Sequence, residues 1–400
     1  MESPGIDERP SRPPPARHDI ARRPRAAIAR PNIVSLDAAK VDPAVCATWD
    51  RLSATCDHPN ALHGSRAWAE YLVARGRDVR VAVVRDGSGA VSGVVPLMCH
   101  PYGLDYDVGA QRLLRSRFRV ADVLGSLPLL PASVLTKDAL LLGVLDALPD
   151  CDAVFFESLP VESVYSSFED VSTSLLPYRP SESRADHLVE LAGSFDGYHR
   201  SLSAKLRFNV ERSLRTLGGT GPVELRCYRS PADVDRLFTD ARLVRRTSWQ
   251  FETLGDLNDD PVQSSHESLS ELARRDLLRS YVLYVDEAPV AFVIGYQHDG
   301  VFFYGVVGYD ASLSRHSPGS ALLHLLMKDL FASDRPRLLS FGRGNDDYKR
   351  RFGTRQRYVG TVFFFRPTLR NRMRVQNHRV FSQAKGLIAE LRVSSPHRLQ

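Results

Sequence analysis

Cysteine is scarce and unpaired in this sequence. There are five (Cys46, Cys56, Cys99, Cys151, Cys227), an odd number, widely scattered, with no C-x-x-C pair. That excludes a zinc site built on thiolates or a disulfide framework, and it fits a reducing compartment; each thiol reads as a small core or surface residue. Long apolar runs are missing as well. No stretch approaches the roughly 20 apolar residues needed to cross a bilayer. The opening MESPGIDERPSRPPPARHD lacks the apolar region of a secretory signal, so a cytoplasmic location is expected. The twelve histidines form neither H-x-x-x-H nor H-E-x-x-H, so nothing calls for a metal. The G-x-S-x-G elbow of a Ser-His-Asp hydrolase is absent too.

What is present is the composition of a globular protein. Of 400 residues, 43% are hydrophobic and 25% charged, enough apolar surface for two domains or one large core with tails. The net charge of +6 is unevenly placed: residues 1–31 contribute +3 and residues 366–400 contribute +7, leaving −4 for the body. A mildly acidic body with basic ends argues against a nucleic-acid-reading domain.

Residues 1–31 hold seven prolines and no apolar periodicity, the pattern of a disordered Pro/Arg-rich tail. From 32 to 192 a first ordered region is expected. Val79–Val84 and Val91–Met98 flank a Gly-rich turn and predict a hairpin. Thr136 is placed to cap a helix over Lys137–Leu148, and Ala153–Phe156 and His187–Leu191 predict short strands. Residues 193–221 predict one long connecting helix, near Phe195–Leu217. Leu202, Leu206, Val210, Leu214 and Leu217 form its apolar stripe, and Arg200, Lys205, Arg207, Arg212 and Arg215 its basic face.

A second region, 222–365, repeats the order of the first. Val223–Tyr228 leads into a helix over Pro231–Arg245. A hairpin (Ser280–Val285 and Val290–Gln297) turns through Asp286-Glu287-Ala288-Pro289, and a third strand, Val301–Tyr309, follows. Then come a Leu-rich helix (Gly319–Phe331), a strand (Leu338–Phe341) and a terminal strand (Tyr358–Phe365). Residues 366–400 predict a basic tail or peripheral helix. The overall class is α/β, or α+β, with mixed sheets flanked by helices.

The chemistry-bearing stretch is VFFYGVVGYDASLSRHSPGSALLHLLMKDL. An aromatic and β-branched strand runs through a polar loop into Ser317-Pro318-Gly319 at the start of an apolar helix. Ser317 reads as N-cap, Pro318 sits where a missing N–H costs nothing, and Gly319 lets other atoms approach. Such a first turn offers N–H groups and the positive dipole end to a pyrophosphate; alternatively it is simply a well-capped core helix. His316-x-x-Gly319-x-Ala321 resembles the Q/R-x-x-G-x-G/A phosphate loop of GNAT acetyltransferases, with His316 where Gln or Arg is usual. The segment LLSFGRGNDDYKRRFGT (338–354) resembles the C-terminal motif of CelD-like GNAT proteins, a family associated with cellulose and exopolysaccharide biosynthesis and related to Fem-type transferases. The resemblance spans roughly residues 60–365.

That resemblance implies two tandem GNAT-like domains. The second would bind acetyl-CoA or another acyl-CoA through Val306, Val307, Gly308, His316, Ser317, Pro318, Gly319, Ser320 and Ala321. The first would be a degenerate copy shaping the acceptor pocket, since Leu129-Leu130-Pro131-Ala132-Ser133 lacks the phosphate-loop pattern. A backbone N–H among Val306, Val307 and Gly308 would polarise the thioester carbonyl. Gly305 and Gly308 suit either a bulge or close packing. Tyr304, Tyr309, Asp346, Tyr348 and Lys349 are the candidates for proton transfer or oxyanion support. Lys349 reads equally as a partner of Asp346 or Asp347, and Tyr304 as core. Lys205, Arg207, Arg212 and Trp249 would meet the acceptor, with Phe251 lining the pocket beside Trp249; the alternative is a solvated helix face and ordinary core aromatics. The acceptor would be an amine of a small metabolite or amino sugar, or else a polysaccharide hydroxyl. The rival readings are a Fem-type transferase using aminoacyl-tRNA and a non-enzymatic degenerate GNAT pair acting as a scaffold.

Overall fold

The computed structural model describes residues 32–56, 58–108, 111–131, 135–248, 265–344 and 346–393, the last seven of them by backbone only. The chain opens with strand β1 (Asn32–Asp37), then α1 (Pro43–Ala54), α2 (Ala61–Gly64) and α3 (Arg66–Ala74). Side chains of Asp42 and Ser65 cap α1 and α3, replacing N–H partners that a helix start lacks. Strands β2 (Val79–Arg85), β3 (Val91–Val108) and β4 (Gln111–Val123) form a meander. Helix α4 (Lys137–Ala147) starts where expected, with Thr136 accepting from the Ala139 N–H. Strands β5 (Ala153–Pro160), β6 (Leu176–Tyr178) and β7 (Arg184–Glu190) complete the first half.

The expected long connecting helix is two helices, α5 (Phe195–Ser201) and α6 (Ala204–Gly218). Leu202 is extended, and the Ser203 side chain accepts from the Leu206 N–H to start α6 afresh. A serine cap inside an unbroken apolar stripe is invisible to periodicity, because the stripe continues across the break. The second half runs β8 (Val223–Tyr228), α7 (Val234–Arg246), α8 (His266–Arg274), β9 (Ser280–Val285), β10 (Ala288–His298) and β11 (Val301–Tyr309). It ends with α9 (Pro318–Ala332), β12 (Leu338–Arg343), α10 (Asp347–Phe352), β13 (Arg355–Phe365) and α11 (Leu369–Val393). The β9–β10 turn needs only Asp286 and Glu287, both with positive φ, and Ala288 already pairs with Val285.

All the described strands share one 13-stranded sheet in the order β1-β2-β3-β4-β5-β13-β7-β12-β11-β10-β9-β8, with β6 added beside β13. Each half is an antiparallel meander followed by a parallel pair: β4 with β5, and β11 with β12. Each half also lends its last strand to the other. β13 inserts beside β5 of the first half, and β7 inserts beside β12 of the second. β7 and β13 then pair antiparallel at the seam. One continuous core joins α1–α3 and β2 to α7, α8, β9 and β10 on one face. On the opposite face, α5, α6 and α9 cover the second half and α4 covers the first. Helix α11 covers part of β3–β5 and β13 through Val375.

Candidate active site

Successive residues of a strand face opposite sides of the sheet, and β11 uses both. Phe303 and Val306 pack with the first core; Phe302, Tyr304 and Val307 belong with α9. β11 pairs with β12 only through Val301, Phe302 and Phe303. From Tyr304 on, β11 holds β10 on one flank and has no strand on the other, so the two strands fork. The splay thus begins at Tyr304, and alternate backbone N–H groups of the free flank point into the fork. The register to β10 skips Gly305, which sits at a bulge opposite Ile294/Gly295. A Cβ at Gly308 would fall 2.4 Å from the Phe292 ring. The two glycines therefore divide the two roles: Gly305 makes the bulge, and Gly308 makes room for packing.

The fork opens into a cleft of about 510 Å³ lined by Tyr304, Val307, Gly308 and Tyr309, by Ser317–Ser320 at the start of α9, and by Asp346, Asp347 and Tyr348. Ser317 occupies the cap position of α9 in the left-handed region (φ 51°), and its hydroxyl caps nothing. That corrects the expected side-chain cap: the residue turns the chain, and its carbonyl accepts from Ser320 and Ala321. No acid lies in the first turn of α9, so its positive dipole end is not neutralised by a side chain. An added Cβ at Gly319 would meet only Tyr309, at 3.7 Å.

Tyr304 and Tyr348 sit with ring centroids 6.1 Å apart, and Phe341 packs edge-on to both. Burial, helped by neighbouring Tyr348, pushes the Tyr304 pKa well above its ordinary value. Burial and then Asp346 push Tyr348 up in the same way. Both phenols stay protonated at neutral pH and can donate a hydrogen bond.

Lys349 is buried and outside the cleft lining. Its ammonium donates to the Arg343 carbonyl at 2.8 Å and pairs with Asp346 at 3.1 Å. Gly342 (φ 67°) and Gly344 (φ 128°) make the turn that wraps it, a backbone path that L-residues rarely take. The Phe-Gly-x-Gly…Tyr-Lys pattern is thus a clamp that ties the end of β12 to α10 and presents Tyr348. Val306 faces the first core, and Ala321 is fully buried beneath the turn. His316 accepts at Nε2 from the Arg315 Nε–H, at 3.1 Å, and does not line the cleft.

Lys205 and Arg212 are exposed on α6, which touches the 311–316 turn and α9. They stand on the cleft's face of the sheet. Arg207 is spent on its own chain, donating to the Arg200 carbonyl at 2.9 Å and to the Leu202 carbonyl. Trp249 and Phe251 lie outside the described residues. Among the described residues no group of three or more His, Cys, Asp or Glu is arranged to hold a metal, and no helix is long and apolar enough to cross a membrane.

A second pocket, of about 400 Å³, lies on the other face of the sheet and reaches the same fork through Phe303, Gly342 and Arg343. Its remaining walls include His63, Asp122, Glu157, Ser158 and Asp186. No motif marks these residues, which come from four separate elements. Two local irregularities build the pocket. Glu157 and Ser158 share one bulge of β5 opposite β13, and Gly125 and Ser126 both take positive φ in the turn after β4. Burial raises the Asp122 pKa to about 6, against the opposing pull of nearby His100. Burial lowers that of His63 to about 4.

Residues 204–350 match the family described as acetyltransferase (GNAT) domain. No curated protein matches the sequence. Among solved structures, FemX aligns with a TM-score of 0.56 at 11% identity, over 80% of this chain and 96% of its own. A conserved protein of unknown function from Bacteroides thetaiotaomicron VPI-5482 aligns with a TM-score of 0.52 at 11% identity, over 80% and 97%. A tandem GNAT protein from the clavulanic acid biosynthesis pathway gives 0.48 at 13% identity, over 84% and 98%. At these identities the likeness is one of fold. Residues 204–350 thus match a GNAT acetyltransferase domain, and they lie within a larger mixed α/β sheet.

Proposed function

We propose that this chain is an acyl-CoA-dependent N-acyltransferase, probed most simply with acetyl-CoA, that acylates an amine of a small metabolite or amino sugar. The observation that carries the reading is the fork itself: an unpaired strand edge opening onto a helix start with no side-chain cap and no acid. The pyrophosphate of the donor would rest on the Ser317–Ser320 turn, and the pantetheine arm would run along the free edge of β11. A backbone N–H among Val306, Val307 and Gly308 would polarise the thioester carbonyl. The amine nitrogen then forms the new C–N bond, the C–S bond breaks, and a protonated phenol, Tyr348 or Tyr304, supplies the proton taken up by the departing thiolate.

Lys205 and Arg212 suit the donor's phosphates better than the acceptor, because α6 stands on the cleft's side of the sheet. Lys349 acts by positioning Tyr348 and Asp346. The division into a degenerate first domain (32–192), a basic connector (193–221) and an acyl-CoA-binding domain (222–365), with tails at 1–31 and 366–400, belongs to this proposal. So does a CelD-like place in polysaccharide biosynthesis, for which the Phe-Gly-x-Gly…Tyr-Lys segment is the support.

The test is calorimetric titration of the full chain with acetyl-CoA and with desulfo-CoA, beside Gly319→Glu. Saturable binding in the wild type, weakened at least tenfold (about 1.4 kcal/mol) by a carboxylate on the turn, is the expected result. Absence of binding in the wild type would remove the CoA reading and leave aminoacyl-tRNA or a scaffold role as its successors.

A further inference from the structure

A donor seated in the fork presents its acyl carbon between β11 and β12, where the sheet is open. The cleft lies on one face, and the pocket of His63, Asp122, Glu157 and Asp186 lies on the other. The two are separated by one to three residues along the chain: Phe303 lines the pocket and Tyr304 the cleft, Arg343 lines the pocket and Asp346 the cleft. A nucleophile in the pocket would therefore reach a face of the carbonyl that the CoA body leaves open, which addition to the trigonal carbon needs before the thiolate departs.

The pocket's charges state what it would take. Asp122, Glu157 and Asp186 face it with Arg343 as the one cation among its lining residues. Arg343 is engaged by Glu157, pairing with its carboxylate and donating to its carbonyl at 2.9 Å. Asp186 is 3% exposed, and Arg357 takes only its Oδ2, at 2.7 Å; Oδ1 is buried without a hydrogen-bond partner. A buried carboxylate oxygen left open costs stability unless a donor completes it. Asp122 is also buried, with His100 Nε2 3.5 Å away.

Building on the donor reading above, we propose that this pocket is the acceptor site, that it takes a primary amine arriving as its ammonium ion, and that Asp122 is the base that removes the proton. The ammonium group donates to Asp186 Oδ1 and to Asp122. Transfer of one proton to the Asp122 carboxylate leaves a neutral amine, whose lone pair forms the C–N bond as the C–S bond breaks. The proton lost from nitrogen during collapse follows the same route to solvent through Asp122, and the thiolate takes its proton in the cleft. With a pKa near 6, Asp122 is ionised at neutral pH yet basic enough to accept a proton. The groups facing it are His100 and Tyr102 from β3, Glu157 from β5 and Arg343 from β12; His63 and Asp186 line the same pocket. His100 is itself held above its usual pKa: burial opposes its charge, but Asp122 and the Pro101 carbonyl outweigh that.

The experiment measures acetyl transfer from acetyl-CoA to glucosamine, L-lysine, putrescine and ethanolamine by release of free CoA thiol, with wild type, Asp122→Asn and Glu157→Gln. Acetyl-CoA affinity is measured for each by calorimetry. The expected result is turnover of at least one amine and a rise of kcat/KM with pH through about 6. Asp122→Asn should cost a hundredfold or more in kcat and lose that limb, while its acetyl-CoA affinity stays within twofold. Glu157, half outside the protein, keeps the test informative if Asp122→Asn fails to fold; Glu157→Gln should raise the amine KM several-fold with kcat nearly unchanged. Wild-type binding of acetyl-CoA with no reaction of any amine overturns the ammonium-acceptor proposal while leaving the donor reading standing. So does an Asp122→Asn enzyme with wild-type kcat and pH profile. Failure to bind acetyl-CoA at all strikes the donor reading instead.

Discussion

The two halves of the sheet share one topology and differ at one joint. In the second half, β11 pairs with β12 at its beginning and then runs six residues further without that partner. In the first half, β4 pairs with β5 near its end, through Val120, Ala121 and Asp122, so its unpartnered stretch precedes the pairing and no fork opens beyond it. The helix starts differ in the same sense. Thr136 caps α4, and Asp138 in its first turn accepts from the Ser172 N–H at 2.7 Å. A carboxylate already sits where an anion would bind, which excludes a second anion there. Helix α9 has neither cap nor acid. The same scaffold therefore gives one helix start with neither cap nor acid and one already occupied by a carboxylate.

The comparison is broken most strongly at the seam. Arg357 and Asp186 are cross-strand partners of β13 and β7, both nearly inaccessible, 2.7 Å apart. Arg357→Ala leaves a buried carboxylate unpaired and should cost about 3–5 kcal/mol. Because each half lends a strand to the other, urea unfolding followed by near-UV and far-UV dichroism should stay a single coincident transition. Two separated transitions would mean that the halves are independent units. Next in size is Gly308→Ala, whose Cβ would meet the Phe292 ring at 2.4 Å. Overpacking there should cost about 1–3 kcal/mol and weaken acetyl-CoA binding, since the free edge of β11 must shift; thermal melts and titration read the two effects.

The helix starts supply a smaller contrast. Thr136→Ala removes a cap bond and should cost about 1 kcal/mol without touching donor affinity. Ser317→Ala removes no cap bond and should change stability by less than about 0.5 kcal/mol, while leaving the turn occupied by the same backbone. Equal losses in chemical denaturation would erase the distinction drawn here. Smallest is the acid response. Burial lowers His63 of the first half to about 4; burial, then His199 and Lys328, lower His324 of the second to about 4. Both are neutral when folded and take up protons when unfolded below about pH 6.5. Their contribution is complete above that pH and is lost as pH falls toward 4. Asp122, raised to about 6, acts in the opposite direction between about 6 and 4. His63→Gln and His324→Gln should each flatten the decline of the urea midpoint between pH 7 and 5, and by similar amounts if the halves unfold together.

Local pattern was sufficient for much of this protein. Alternation and turn residues marked both hairpins, β11 over its observed span, and the Leu-rich α9; the Thr136 cap and the polar loop before Pro318 were readable because caps and turns are short-range devices. The Phe-Gly-x-Gly…Tyr-Lys segment was visible as a motif, but its work was not. Only the fold turns Lys349 inward to hold the glycine turn and leaves Tyr348 at the cleft, since a lysine's direction depends on the backbone around it. The break at Leu202–Ser203 escaped detection because the apolar stripe runs across it. α1, α3, α8 and the length of β3 and β4 were not apparent, as their apolar residues are interleaved with charged ones at the molecular surface.

What the sequence determined by itself was both hairpins, β11, α4 and α9 with their apolar faces, and the polar loop that leads into α9, because each depends on neighbours a few residues apart. What only the tertiary structure decided was the exchange of β7 and β13, the fork beside β12, and the pocket that gathers His63, Asp122, Glu157, Asp186 and Arg343. Those depend on strand pairing between residues up to about two hundred positions apart, where side-chain pattern sets which face is buried but not which strand comes to lie beside it.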